Sequence, residues 1–172
     1  MHNKIVSLKA TKLGLNECII ALTIGKKSIL HNIAVSRIRN LSSQQALGLL
    51  QRIDQNKIKM VFSNLSDKLT GDKDFVIVTL SLTPYYDVPI IYNSLGEDLK
   101  TNEDILVAYL EHVGASFTFK TFMSLASKYP EFLDNKQVVL AALKDAYNHE
   151  VKEIFKIISN RLKQDKEIQS YE

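Results

Sequence analysis

Cys18 and the four histidines, His2, His31, His112 and His149, are the side chains of this 172-residue chain best suited to nucleophilic or metal chemistry. A thiolate with an imidazole base makes a covalent catalyst, so a small enzyme or toxin domain built on Cys18 or His112 is one reading. Against it, Cys18 stands in the apolar run Glu17-Cys-Ile-Ile-Ala-Leu-Thr-Ile24, where burial raises a thiol pKa and leaves the sulfur inert. The histidines share no His-x-x-x-His spacing and Cys18 has no second cysteine, so the sequence offers neither a metal-ligand pattern nor an intramolecular disulfide. No metal and no cofactor is expected. Gly25-Lys26-Lys27-Ser28 matches the end of a phosphate-binding loop, but the glycine required five residues before the Gly-Lys is Ile20 here. Acid pairs such as Asp98 with Asp104, or Glu103 with Glu111, have a structural reason already, since carboxylates near helix N-termini interact favourably with the helix dipole.

Charge divides the chain. Residues 1–86 carry twelve Lys and Arg against five acids, and residues 87–172 carry ten against fourteen, giving about +7 and −4 within a formal net charge of +3. Such polarity orients an approaching partner or favours head-to-tail self-association. The basic set Lys26, Lys27, Arg37, Arg39, Arg52, Lys57 and Lys59 lies in the first half, which keeps nucleic-acid binding as a third reading. It is disfavoured, because the set is diluted and lacks an aromatic column on which bases would stack.

The elements that position these side chains follow a period. Leu13, Leu41, Leu69, Leu99, Phe132 and Leu162 recur at spacings of 28, 28, 30, 33 and 30 residues. Repeats of that length signal stacked supersecondary units. After the anchors come polar residues suited to helix N-caps (Asp72, Asn102, Asn135 and Asp165, with Gln44 in the weak second unit) and then apolar runs. Asn16 reads as a further cap. Ile105, Leu106, Tyr109 and Leu110 fall at helical offsets, and Gly114 is placed to stop that helix.

Phe75-Val-Ile-Val-Thr-Leu-Ser-Leu82 taken alone favours strand. Its repeat equivalents, Ile105-Leu-Val-Ala-Tyr-Leu110 and Val138-Val-Leu-Ala-Ala-Leu143, contain good helix formers, and equivalent positions in an array share a conformation. Helix is therefore expected at all three. The resulting map has anchor-leading helices near 27–39, 57–69, 88–99, 117–132 and 149–163. Capped helices lie near 16–24, 44–53, 72–82, 102–112 and 135–147. The unit ending at Phe132 departs from the pattern, with Lys128 in a leucine column and Pro130 beside it.

The expectation is an all-α fold, an α-solenoid of about five helix-pair repeats of roughly 30 residues. Residues 1–172 form one repeat domain on this reading, clearest over 57–168, with frayed partial units at both ends. No apolar stretch approaches the roughly 18 residues of a membrane span, and the first ten residues lack a signal-peptide hydrophobic region. The chain reads as soluble.

The units Leu99-Lys-Thr-Asn-Glu-Asp-Ile-Leu-Val-Ala and Leu133-Asp-Asn-Lys-Gln-Val-Val-Leu-Ala-Ala-Leu143 resemble a tandem helical-repeat domain of unknown function. In that family a polar turn with Asp or Asn and a charged pair lead into a Val-Val-Leu-Ala-Ala-type helix. It is seen in intracellular, amoeba-associated bacteria and in large viruses. The family usually has Asn-Gly after this helix, whereas this chain has Glu111-His-Val-Gly114 and Ala146-Tyr-Asn-His149. The motif holds no catalytic residues to carry over. The resemblance implies a helical recognition scaffold, an effector or a regulator of one, either cytoplasmic or delivered to a host cell without a conventional signal peptide.

In a stack of helix pairs, equivalent loops line one edge and form a surface from residues distant in sequence. Here those loops contribute Lys26 and Lys27, Gln55 and Asn56, Tyr85 and Tyr86, His112 and Phe117, then Tyr147 and His149. Lys26, Lys27, Tyr85, Tyr86, His112, Phe117 and Tyr147 are the candidate partner-binding residues. The partner is expected to be a protein, because exposed aromatics are natural interface anchors.

Overall fold

The computed structural model describes residues 14–23 and 29–172. Every regular element among them is helical, α or 3-10. Leu13, Lys26 and Lys27 lie outside the described residues. The chain divides into two compact units, the first ending at Thr83 and the second beginning at Pro84.

The first unit contains α1 (Leu15–Thr23), α2 (Ile29–Arg39), α3 (Ser43–Leu50), a 3-10 turn at Gln55–Lys57, α4 (Ile58–Phe62), α5 (Asp67–Thr70) and α6 (Lys73–Leu82). Helices α1 and α2 pack together, as do α3 and α6. Asn16 lies inside α1 rather than capping it. The cap of α3 is Ser42, two residues before the expected Gln44. Ser42 fits better because its short hydroxyl accepts from Gln45 N while Ser42 N donates to the Gln45 side-chain oxygen, a reciprocal capping box.

The run 75–82 is helix, as its repeat equivalents require. Asp72 accepts from Phe75 N at 2.9 Å and starts it. The buried hydroxyls of Thr79 and Thr83 donate to the carbonyls of Phe75 and Thr79, at 2.8 and 2.7 Å, so no polar atom of either side chain is stranded in the core. Thr83 then turns extended, as a residue before proline does.

The second unit contains α7 (Val88–Ser94), α8 (Glu97–Lys100), α9 (Glu103–His112), α10 (Ala115–Lys128), a 3-10 turn at Pro130–Asp134, α11 (Lys136–Leu143), α12 (Asn148–Ile157), α13 (Asn160–Lys163) and α14 (Lys166–Gln169). Helix α9 is its centre and packs on α7, α8, α10 and α11. Ile105, Leu106, Leu110, Phe122 and Leu143 are fully buried around it.

Three of the anchor-leading helices are broken before the anchor. Ser66, Gly96 and Ser159 adopt extended backbone (φ/ψ −71/151°, −65/155° and −62/152°), and each opens a one-turn helix that carries the anchor leucine. Serine and glycine are poor interior helix formers and good N-caps, so the break falls on them. The recurring pattern is helix, break, one turn, cap, helix. Its caps are the predicted ones: Asp72, Asn102, Asn135 and Asp165 each accept from a backbone N–H of the following helix.

Within the second unit, polar bonds join equivalent or neighbouring positions of successive repeats. Asn135 donates to Glu103 at 2.8 Å, and Lys144 pairs with Glu111 at 3.1 Å. Lys136 reaches both Asp165 and Glu167 at 2.9 Å. Asp134 accepts from Arg161 Nε at 3.1 Å and from the Ser159 hydroxyl, and Ser159 N donates to Leu133 O at 3.0 Å.

Candidate functional site

A groove of about 530 Å³ opens in the second unit. One wall is a single face of α10, contributing Phe117, Lys120, Thr121, Ser124 and Lys128, with Tyr129 following. Those spacings of three and four residues keep the five side chains in one helical row. Thr118, Phe122 and Ala126 of α10 are buried, as is Leu125, which also lines the groove, and this burial fixes how the row is presented.

Across from it stand Tyr85 and Tyr86 in the connection before α7, then Pro89, Tyr92 and Asn93 of α7. The floor is a pair of tyrosines. Tyr92 and Tyr109 stack with centroids 3.9 Å apart and planes 8° from parallel. Both are buried, and burial pushes both phenols above their ordinary value of 10.0. For Tyr109 the Thr121 hydroxyl partly opposes that shift through a hydrogen bond. Tyr92 donates its hydroxyl to Lys100 O at 2.8 Å, which ties α7 to α8. The floor therefore stays neutral and aromatic at physiological pH.

The rim aromatics are held by a backbone exception. Gly114 has φ +89°, a region favouring glycine, and a Cβ there would sit 3.2 Å from the Tyr85 ring. Bare backbone lets Tyr85 lie over the start of α10, where it stacks on Phe117 at 6.3 Å and meets Tyr86 edge-on at 5.4 Å. Tyr85, Tyr86 and Phe117 still keep 54%, 57% and 50% of their surface in solvent, which leaves area for a partner to cover.

Glu97 organises the cationic end. It accepts from the Tyr129 hydroxyl at 2.8 Å and from Lys100 and Lys128 Nζ at 3.1 and 3.4 Å. The Tyr129 bond foremost, then Lys100, hold its carboxyl at about 2. Lys128 also lies 4.6 Å from the centroid of the Tyr129 ring, a cation–π contact.

Three of the seven candidate residues thus come together, namely Tyr85, Tyr86 and Phe117. His112 ends α9 and Tyr147 precedes α12, and neither lines the groove; Tyr147 instead stacks with His149 at 6.1 Å. Tyr92, Tyr109, Tyr129, Lys100 and Lys120 were not legible as site residues, because on a helical stripe a tyrosine reads as core and a lysine as solvated surface. Lys128 did carry a signal, the charge in a leucine column.

Cys18 is wholly buried, and desolvation raises its thiol above the ordinary 9.0 while Arg37 partly opposes the shift. Among the described residues no three His, Cys, Asp or Glu side chains are grouped to hold a metal ion, and no helix is long and apolar enough to cross a membrane. Comparison with known protein families, curated proteins and solved structures finds no match.

Proposed function

We propose that the chain is a non-enzymatic protein-binding module, an adaptor or an inhibitor that covers part of another protein, and that its helical repeats stack as a solenoid of about five units. The groove of the second unit is its docking surface. One observation carries this reading: three half-exposed aromatic side chains are clustered by a glycine-dependent backbone over a stacked tyrosine floor. Clustered aromatics lose little conformational entropy on binding and supply large contact area, the usual composition of an interface hot spot. The second unit's cross-repeat bonds support an array, since each joins residues 25 to 33 apart. The resemblance to tandem repeats of amoeba-associated bacteria and large viruses is compatible with an effector or effector regulator.

The test is a double substitution, Tyr85→Ala with Tyr86→Ala, in a tagged chain expressed in its producing cell or host. Partner recovery should fall at least about tenfold, the loss expected from removing hot-spot aromatics, while the thermal midpoint stays close to wild type. Undiminished recovery would remove the groove from the interface.

A further inference from the structure

The groove differs in sign from the unit that contains it. From Pro84 onward the chain has ten Lys and Arg against fourteen acids, yet the groove lining includes Lys100, Lys120 and Lys128 and no carboxylate. Glu97 at the rim offsets one of these charges through its bonds to Lys100 and Lys128. Three ammonium groups less one carboxylate leave a local charge of about +2 in an acidic unit. Lys120 lies in the middle of the α10 row and is exposed.

We propose that the groove recognises an acidic peptide segment carrying an aromatic anchor. The inference rests on the reading of the groove as a protein-docking surface and adds the chemistry of the docked segment. The anchor ring lies over Tyr92 and Tyr109 between Phe117 and Tyr86, with stacking or edge-on contacts. Carboxylates flanking it meet Lys120 and Lys128. Glu97 competes for Lys128 and Lys100, so it acts as a built-in counterion that an acidic partner displaces. The surrounding negative charge repels acidic chains that lack the anchor, while the ring is what holds the correct one.

The chain has no tryptophan, so an indole probe can be excited selectively. Three probes are titrated against the full chain: a five-residue peptide with tryptophan flanked by aspartate and glutamate, the same peptide with lysine flanks, and indole-3-acetate as a small aromatic anion. The acidic peptide should bind at least about tenfold more tightly than either other probe. Phe117→Ala and the double variant Lys120→Glu with Lys128→Glu should each weaken it about tenfold or more. Glu97→Gln should strengthen it, and Lys68→Glu in the basic first unit should leave it unchanged. All these substituted side chains are exposed, and circular dichroism melts verify that the variants fold.

Equal or tighter binding of the lysine-flanked peptide overturns the inference, as does absence of binding by all three. Indole-3-acetate binding as tightly as the peptide overturns it in favour of a small-molecule site. An acidic peptide that ignores the groove variants but responds to Lys68→Glu has bound the first unit, which also overturns it. The docking reading is tested separately, by partner recovery with the Tyr85→Ala and Tyr86→Ala double variant.

Discussion

The two units share a backbone pattern and differ in what decorates it. In the first, side-chain bonds such as Asn40 to Ser36, Thr79 to Phe75 and the Ser42–Gln45 box close over three or four residues. In the second, comparable caps are joined by bonds that reach one repeat along, such as Asn135 to Glu103 and Lys136 to Asp165. The second unit also holds the repeat ending at Phe132, which departs from the sequence pattern, and that repeat builds a wall of the groove. Its leading helix α10 runs 14 residues, against 5 for α4 and 7 for α7. The added length carries Lys120, Thr121, Ser124 and Lys128 into a row that a shorter helix could not present. The departure from regularity thus coincides with the groove.

That contrast can be tested from its strongest consequence downward. Leu106→Ala removes a fully buried side chain at the centre of the second unit and should cost about 2–5 kcal/mol in a denaturant melt. Leu80→Ala, equally buried in the first, should cost a similar amount, because the cavity mechanism is common to both units. Gly114→Ala should be next at about 1–3 kcal/mol, since it combines a positive φ with a clash against Tyr85. Unlike the leucine variants it should also disturb the ring pair, visible as altered chemical shifts for Tyr85 and Phe117. Normal stability after Gly114→Ala would mean that the backbone exception does not position the rim.

Caps should make the units alike. Asp72→Ala and Asn102→Ala each remove an acceptor for the first turn of a helix and should each cost about 1 kcal/mol. Cross-repeat ion pairs of the second unit can be tested in the same way. Lys136→Met breaks contacts to Asp165 and Glu167 on the following repeat. The melt should shift slightly downward at low salt and converge with wild type at high salt, as partly exposed pairs are screened.

The smallest effect concerns protons. The Glu97 carboxyl, ordinarily at 4.5, is held at about 2 by Tyr129 and the two lysines. A carboxyl whose folded value is depressed adds stability above its unfolded value, and that contribution disappears as pH falls from about 4.5 through 2. An NMR titration of the Glu97 side chain should follow that window, and Tyr129→Phe, which removes the first of these bonds, should move it upward. An unshifted Glu97 midpoint would leave the cationic end without its organising carboxylate.

The helices were readable because caps and apolar periodicity are local. Asp72, Asn102, Asn135 and Asp165 marked four helix starts correctly, and the repeat correctly overrode the strand propensity of 75–82. What failed to show was the break before Leu69, Leu99 and Leu162. Ser66 and Ser159 look like ordinary polar surface positions within an amphipathic run, and Gly96 like a tolerated interior glycine. In the second repeat, the cap lay at Ser42 because a capping box outweighed alignment with Gln44. The groove was legible only at its rim. Adjacent Tyr85 and Tyr86 announced an exposed aromatic pair, whereas the meeting of Tyr92 with Tyr109 depends on how α7 packs on α9.

The most direct test of the docking surface is site-specific photo-crosslinking. A photoreactive phenylalanine analogue at Phe117, in the groove, is compared with the same group at Tyr147, which is somewhat more exposed but outside it. The account predicts a discrete protein adduct from position 117 that disappears when Tyr85 and Tyr86 are both alanine, and none from position 147. Adducts that form equally at both positions, or that survive the double substitution, would contradict it.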